Sequence, residues 1–130
     1  MIVFDASALL EVLLRTRHSA AIEELLFTPN QTIHAPHLID VEAAQVIRRF
    51  TFSGAITGQR AQAAIEDLAA FPIRKHLHTA LLPRMWELRH NLTVYDAVYV
   101  ALAEALDAGL ATLDRRIATA AGHYAKILPV

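Results

Sequence analysis

Residues 93–120, TVYDAVYVALAEALDAGLATLDRRIATA, limit most strongly what this chain can fold into. The segment AVYVALAEAL is apolar on nearly every face, which predicts a helix that is buried inside the domain. We expect Gly109 to follow this helix in a left-handed conformation. Residues 110–113 then predict a short buried strand that leads to Asp114. A buried helix followed at once by a buried strand indicates a layered α/β domain.

The rest of the chain shows the same alternation of short apolar segments and helical segments. Besides residues 110–113, the predicted strands span 1–4, 32–35, 73–75 and 125–128. Besides the central helix, the predicted helices span 8–14, 19–27, 38–52, 57–71, 79–88 and 115–121. No repeat or low-complexity segment interrupts the pattern. We therefore predict a single domain over residues 1–130, a three-layer α/β/α fold with a small, mostly parallel central sheet.

Composition excludes several classes of protein. The apolar content of 55% excludes a disordered chain, and the absence of cysteine excludes disulfides and thiolate metal sites. A net charge of −1 provides no overall attraction to nucleic acid, so any RNA binding must come from a local patch. No stretch reaches the ~20 apolar residues of a membrane span. Because Asp5 interrupts an N-terminus that has no basic leader, we expect no signal peptide and a cytoplasmic location.

Four acidic side chains are candidates for a functional site. Asp5, Asp96 and Asp114 each stand where a strand gives way to a helix or near the start of a helix. Glu42 lies within a predicted helix, beside its apolar stripe. Ligands of open α/β sheets bind outside the carboxyl ends of the strands. Carboxylates crowded there repel one another unless a cation neutralises them, and Mg²⁺ or Mn²⁺ prefers such oxygen ligands. This pattern is typical of metal-assisted phosphodiester hydrolysis.

Each of these acids also has a purely structural interpretation. Asp96 could belong to a capping box that begins at Thr93, and Asp114 could be the N-cap of the helix after it. Asp5 or Ser7 could cap the first helix, while Glu42 could simply face solvent. The spacing of the acids does not decide between caps and a catalytic site.

Four segments together resemble the PIN-domain family, and within it the VapC-type toxins. They are IVFDASALLEVLL, PHLIDVEAAQVIRR, TVYDAVYVALAEAL and LATLDRRIATAA, in the family's order and spread over nearly the whole chain. The resemblance implies that Asp5, Asp96 and Asp114 bind metal and that Glu42 completes the catalytic acids. It also implies supporting hydroxyl groups from Ser7 and Thr112. Asp40 competes with Glu42 as the helical acid, and the family pattern favours Glu42.

The resemblance further implies a biochemical function. A VapC-type toxin is an endoribonuclease that depends on Mg²⁺ or Mn²⁺ and hydrolyses phosphodiester bonds of RNA. The family pattern also implies a homodimer and a cognate VapB-type antitoxin that silences the toxin. The first two predicted helices carry more leucines than one helix face needs, and part of this surplus indicates a surface for such a partner.

Basic and aromatic residues give weaker signals. Arg115 directly follows Asp114, and we expect it to contact a substrate phosphate. For its neighbour Arg116 we expect only a solvated helix face. We expect Trp86 to belong to the core rather than to a base-stacking platform.

Histidines are paired in sequence as His34 with His37 and His76 with His78. Neither pair has an obvious third ligand nearby, so we expect surface histidines rather than a zinc site.

Two other functions fit parts of the sequence. A phosphoacceptor signalling domain also places an early aspartate after a strand, but it pairs its acids with a lysine after a late strand. Here Lys75 and Lys126 are the only lysines, and neither lies at a suitable distance from Asp114. The second alternative is a catalytically inert binding module whose aspartates are helix caps only. It predicts a protein whose thermal stability does not respond to Mn²⁺.

Overall fold

Five short parallel strands form the central sheet of the computed structural model, which describes residues 1–130. They are β1 (Ile2–Phe4), β2 (Ile33–Pro36), β3 (Ile73–His76), β4 (Gly109–Ala111) and β5 (Lys126–Ile127). Their spatial order is β3-β2-β1-β4-β5, and every adjacent pair is parallel. The predicted parallel sheet is therefore confirmed. The chain order reverses between β1 and β4, which makes their carboxyl ends the expected position of a ligand site.

Seven α-helices surround this sheet in a three-layer α/β/α arrangement. They are α1 (Ala6–Leu14), α2 (Ser19–Leu26), α3 (Leu38–Ser53), α4 (Gly58–Ala70), α5 (Leu82–Glu87), α6 (Val94–Leu106) and α7 (Arg115–Ala118). A 3-10 turn (Thr79–Leu81) precedes α5. Helices α1 to α4 pack on one another, while α6 contacts β1, β2 and β4 and carries α5. None of the helices combines the length and the apolar character needed to cross a bilayer.

Helix α6 lies at the centre of the core, as its sequence predicts. Seven consecutive residues, 97–103, are buried, including Tyr99 with 1% of its surface exposed. A helix can be buried on all sides only if it is apolar all round. Full burial of one large apolar side chain contributes about 1.5–3 kcal/mol, so this helix supplies much of the hydrophobic free energy of folding. Its position also decides where its first turn, and therefore Asp96, meets the sheet.

The turn from α6 to β4 differs from the prediction. Asp107, not Gly109, adopts the left-handed conformation (φ 50°), and its backbone N–H donates to the carbonyl of Ala103. Gly109 is the first residue of β4, and a Cβ atom there would lie 2.7 Å from Cδ2 of Leu128. The prediction for Gly109 was therefore wrong, because Gly109 lies in a strand, where a larger residue would force the Leu128 side chain to move. The last helix is also shorter than predicted and ends at Ala118.

Candidate active site

Asp5 directly follows β1 and is almost completely buried, with 3% of its surface exposed. Its Oδ1 accepts hydrogen bonds from the Ser7 hydroxyl (2.6 Å) and from the backbone N–H of Ala8 (3.0 Å). Its Oδ2 accepts a hydrogen bond from the Thr112 hydroxyl. Asp5 is therefore the N-cap of α1, as the structural interpretation proposes. It is also a buried carboxylate held in one orientation by side chains from two parts of the chain.

Ser7 and Thr112 connect the ends of β1 and β4. The Ser7 hydroxyl accepts a hydrogen bond from the backbone N–H of Leu113 at 2.9 Å. The Thr112 hydroxyl accepts one from the backbone N–H of Asp114 at 3.0 Å. Burial raises the pKa of Asp5, and the negative charge of Asp114 adds to this effect, whereas the hydroxyl hydrogen bonds oppose it. The structure thus places both predicted supporting hydroxyls at Asp5.

Glu42 points from α3 toward the same region. Its Oε1 is buried and has no hydrogen-bond partner. Burial raises the pKa of Glu42 to about 7, and the negative charges of Asp96 and Asp5 raise it as well. Because this pKa is above the ordinary value, ionisation of Glu42 costs free energy in the folded protein.

Tyr99 is a part of this region that the sequence interpretation missed. Its hydroxyl group is buried without a well-formed hydrogen bond and lies beside the Glu42 carboxyl group. Burial raises the pKa of the Tyr99 hydroxyl, and the charges of Glu42 and Asp5 raise it further. The position three residues after Asp96 places Tyr99 on the same face of α6 and could have indicated its role.

Asp96 and Asp114 form the more exposed side of the site, and Arg116 lies between them. The Arg116 guanidinium contacts Asp114 through Nη2–Oδ2 at 2.7 Å and Nε–Oδ1 at 3.2 Å. Its Nη2 is also 3.8 Å from Oδ2 of Asp96. The hydrogen bonds and charge of Arg116 lower the pKa of Asp114. The expectation that Arg116 is only solvated was therefore wrong, because α7 turns its side chain back over the preceding loop.

Asp114 and Asp96 differ in their capping roles. The Asp114 Oδ1 accepts a hydrogen bond from the backbone N–H of Arg116 at 2.9 Å and caps α7. At the start of α6, the Thr93 hydroxyl accepts from the N–H of Asp96 at 3.2 Å, so Thr93 is the cap and the Asp96 carboxylate remains available. Arg115, predicted to bind substrate, is exposed and has no ion pair within the protein.

The four predicted acids therefore converge from four elements, although they do not form a closed metal site. Asp5 influences Asp114 and Glu42 electrostatically, and Glu42 also responds to Asp96. As they stand, no three of these side chains lie close enough together to hold one ion. Asp40, the competitor of Glu42, instead forms an ion pair with Lys75 at 2.7 Å.

The buried acids fit a hard divalent cation chemically. The orphaned Glu42 oxygen and the raised pKa values of Asp5 and Glu42 show negative charge that the protein itself does not balance. Oxygen atoms of carboxylates are the ligands that Mg²⁺ and Mn²⁺ prefer. The donor set and its charge are therefore suitable for such an ion.

Two further expectations need correction, and the surplus apolar residues of α1 and α2 divide between the core and the surface. Trp86 is 63% exposed, because the six-residue helix α5 buries Met85 and leaves the indole outside, where the Arg89 guanidinium lies 4.8 Å from the ring centroid. His34 is buried, since the pairing of β2 with β3 brings its Nδ1 to 2.8 Å from Nε2 of His76. Most of the surplus apolar residues of α1 and α2 belong to the core, namely Leu9, Leu10, Leu13 and Ile22.

Comparison with known proteins identifies the family. The family model described as "PIN domain" matches residues 2–123. The chain belongs to the PIN-domain family. Ribonuclease VapC1 of Mycobacterium tuberculosis is 40% identical to this PIN domain over 121 residues, which cover 92% of this chain and 90% of the relative. Ribonuclease VapC12 of the same species is 37% identical over 127 residues, which cover 98% of this chain and 97% of the relative.

Solved structures show the same fold. The crystal structure of M. tuberculosis VapC20, described as a sarcin-ricin loop cleaving toxin, superposes with a TM-score of 0.70 at 17% sequence identity. That match covers 95% of this chain and 97% of VapC20. The crystal structure of PAE2754 from Pyrobaculum aerophilum also gives a TM-score of 0.70, at 21% identity over 95% of this chain and 87% of that one. These neighbours confirm the α/β/α fold of this PIN domain.

Proposed function

We propose that this PIN domain is a VapC-type toxin, an endoribonuclease that uses a divalent metal ion, Mg²⁺ or Mn²⁺, to hydrolyse RNA. The observation that carries the proposal is the convergence of four carboxyl groups where the strand order reverses, two of them with unbalanced charge. Capping alone does not require this arrangement, because a cap needs only its hydrogen bond to a helix N–H and the favourable interaction with the helix dipole. The relatives named as VapC ribonucleases support the same activity.

The residues suited to hold the metal ion are Asp5, Asp96 and Asp114. A bound divalent ion would lower the pKa of a water molecule and offset the charge that develops on the scissile phosphate. Ser7 and Thr112 keep the Asp5 carboxylate in a single orientation through their hydrogen bonds. Such supporting groups matter because a ligand that rotates freely loses affinity for the ion.

Glu42 has a different role in this proposal. Its carboxyl group lies beside the Tyr99 hydroxyl and interacts electrostatically with Asp96 and Asp5. With a pKa of about 7, the Glu42 carboxyl group is suited to accept the proton of an attacking water molecule. Arg115, which no acid neutralises, is available for a phosphate group of the RNA.

A homodimer and an antitoxin are the proposed protein partners, and the toxin would meet its RNA in the cytoplasm. An exposed apolar patch where α3, α5 and α6 meet supports the dimer, with a cavity of about 380 Å³ lined by Leu38, Val41, Leu82, Val94 and Tyr95 among others. The half-buried Leu25 and Leu26 and the exposed Phe27 on and after α2 support a separate surface for a VapB-type antitoxin.

A matched pair of variants on α3 tests the proposed activity. Glu42→Gln removes the charge from the site, whereas Asp40→Asn removes a charge two residues away that is paired with Lys75. With Mn²⁺ present, we expect Glu42→Gln to lose most cleavage of a structured RNA and Asp40→Asn to retain it. Equal cleavage by the two variants, or cleavage by the parent in excess EDTA, would contradict the proposal.

A further inference from the structure

The loop between α5 and α6 forms one wall of a cavity of about 350 Å³ next to the acidic site. From this loop, Arg89, His90, Asn91 and Thr93 line the cavity, while Asp96 and Arg116 line it from α6 and α7. The cavity is thus lined by the carboxylate of Asp96 and by the guanidinium groups of Arg89 and Arg116. A chain with a net charge of −1 has no general attraction for RNA, so such a local group of cations matters.

Arg89 is held in place while most of its hydrogen-bond donors stay free. Its Nη1 donates to the backbone carbonyl of Trp86 at 2.7 Å, and its guanidinium lies over the Trp86 ring at 4.8 Å. Arg89 is exposed and forms no ion pair with any carboxylate. A guanidinium fixed by stacking loses less conformational entropy when it binds an anion, and its planar fork matches the oxygens of a phosphate group.

Arg116 makes the same cavity acceptable to an anion. Its guanidinium lies 2.7 Å from a carboxylate oxygen of Asp114 and 3.8 Å from one of Asp96. Without this cation, a phosphate group that entered the cavity would face two unbalanced carboxylates. Arg116 is 75% exposed in its side chain, so its charge also reaches the open side of the cavity.

We propose that this cavity binds a phosphodiester group of the RNA strand beside the bond that is cut, with Arg89 and Arg116 as its cationic contacts. The ligand class rests on the proposed function, because Asp96 is shared between the cavity and the acidic site. His90 and Asn91 supply further polar side chains at the same wall. Backbone contacts of this kind position a strand without reading its sequence.

Trp86 allows binding at this position to be measured without a label, because it is the only tryptophan of the chain. The full chain is titrated in EDTA with a random-sequence single-stranded RNA of about 16 nucleotides, a length that one compact domain can cover. Tryptophan fluorescence reports binding near Arg89, and the anisotropy of a labelled RNA reports total binding. We expect both signals to change over the same range of RNA concentration.

Arginine variants then locate the contact. We expect Arg89→Gln and Arg116→Gln each to weaken RNA binding several-fold and to reduce the slope of log affinity against log salt by about 0.7, the value for one phosphate of a single strand. Arg74→Gln is the matched control, because Arg74 is an exposed arginine of β3 and lines a different cavity, with Gln31 and Thr32. It should leave the Trp86 signal and the affinity nearly unchanged.

Two outcomes would overturn the subsite, in addition to normal RNA binding by Arg89→Gln. One is RNA binding by anisotropy with no change in Trp86 fluorescence, and the other is an equal loss of affinity in Arg89→Gln and Arg74→Gln. RNA cleavage by the parent with Mn²⁺ is measured on the same preparation. This second measurement tests the proposed function independently of the subsite. A parent that cleaves RNA while Arg89→Gln binds normally would refute the subsite alone. Binding that depends on Arg89 in a parent that never cleaves RNA would refute the nuclease activity alone.

Discussion

The two sides of the acidic site balance their charge in opposite ways. On the inner side, Asp5 is buried and Glu42 is half-buried, and both have raised pKa values. On the outer side, Asp114 and Asp96 share the guanidinium of Arg116, and the pKa of Asp114 is lowered. The protein therefore supplies its own cation to one side and leaves the other side without one.

This difference separates the carboxylates whose charge the protein itself balances from those whose charge it leaves unbalanced. Asp114 gains free energy from Arg116 and from its position as the cap of α7. Glu42 has no cation beside it, and its buried Oε1 accepts no well-formed hydrogen bond. A buried charge without a partner costs free energy, and groups with such perturbed pKa values are concentrated at functional sites. The inner side is thus the part of the site where loss of charge should matter most.

Asp5→Asn against Asp114→Asn is the comparison with the largest expected effect. Groups that only support a metal ligand contribute about 10–100-fold to metal affinity or activity. Because Asp5 is a proposed ligand itself, Asp5→Asn should reduce the rate of RNA cleavage by more than about 100-fold. Asp114→Asn should lose less RNA cleavage, because Arg116 already occupies part of its coordination capacity. Initial rates with Mn²⁺ would measure both variants, and a greater loss for Asp114→Asn would reverse the ranking of the two sides.

Stability without metal should change in opposite directions on the two sides. Glu42→Gln removes an unbalanced charge and should stabilise the protein at neutral pH by ~0.5–2 kcal/mol, as is common where function is traded against stability. Asp114→Asn removes an ion pair and weakens a helix cap, and should destabilise it by about 1 kcal/mol. Urea unfolding in EDTA would measure both values. Destabilisation by both variants would indicate that all these acids are structural.

The pH dependence of the metal-free protein tests the same contrast. The pKa of Glu42 is about 7 in the folded protein, above its ordinary value of 4.5. The folded state therefore binds a proton at the Glu42 carboxyl group more tightly than the unfolded state does. The contribution of Glu42 to the free energy of unfolding is therefore highest below about pH 4.5 and falls as the pH rises to about 7. Glu42→Gln should reduce this fall when melting temperatures are compared across that range. Asp114 has a lowered pKa and contributes stability that is lost only at acidic pH.

Tyr99→Phe should have the smallest effect on stability. Its hydroxyl group has no well-formed hydrogen bond, so its removal leaves no group newly unpaired and should change the free energy of unfolding by less than about 1 kcal/mol. RNA cleavage should nevertheless decrease, because the neighbouring Glu42 loses the hydroxyl beside it. Unchanged cleavage together with unchanged stability would show that Tyr99 is only a core residue.

Much of this site follows from the sequence because strand ends and helix starts are local features. The apolar run of α6 predicts its burial, and the position of Asp5 after β1 and of Asp114 after β4 predicts their convergence. The family resemblance selects Glu42 over Asp40, and the structure pairs Asp40 with Lys75 instead.

The features that were missed depend on tertiary geometry. The direction of the Arg116 side chain is set by how the four-residue helix α7 turns against α6, which no periodicity encodes. Helix α5 has only six residues, too few for a pattern that would show Trp86 as exposed. The burial of His34 arises from the pairing of β2 with β3, whose partners are far apart in sequence.

The central claim is that a divalent cation binds where these carboxylates converge, and thermal melting with and without Mn²⁺ tests it most directly. A ligand at about 100 times its dissociation constant stabilises a folded protein by about 2.7 kcal/mol, so Mn²⁺ should raise the melting temperature of the parent clearly. Asp40→Asn should show the same increase, whereas Asp5→Asn, which removes a proposed metal ligand, should show little. A parent whose melting temperature does not respond to Mn²⁺, with Glu42→Gln less stable than the parent in EDTA, would contradict the account.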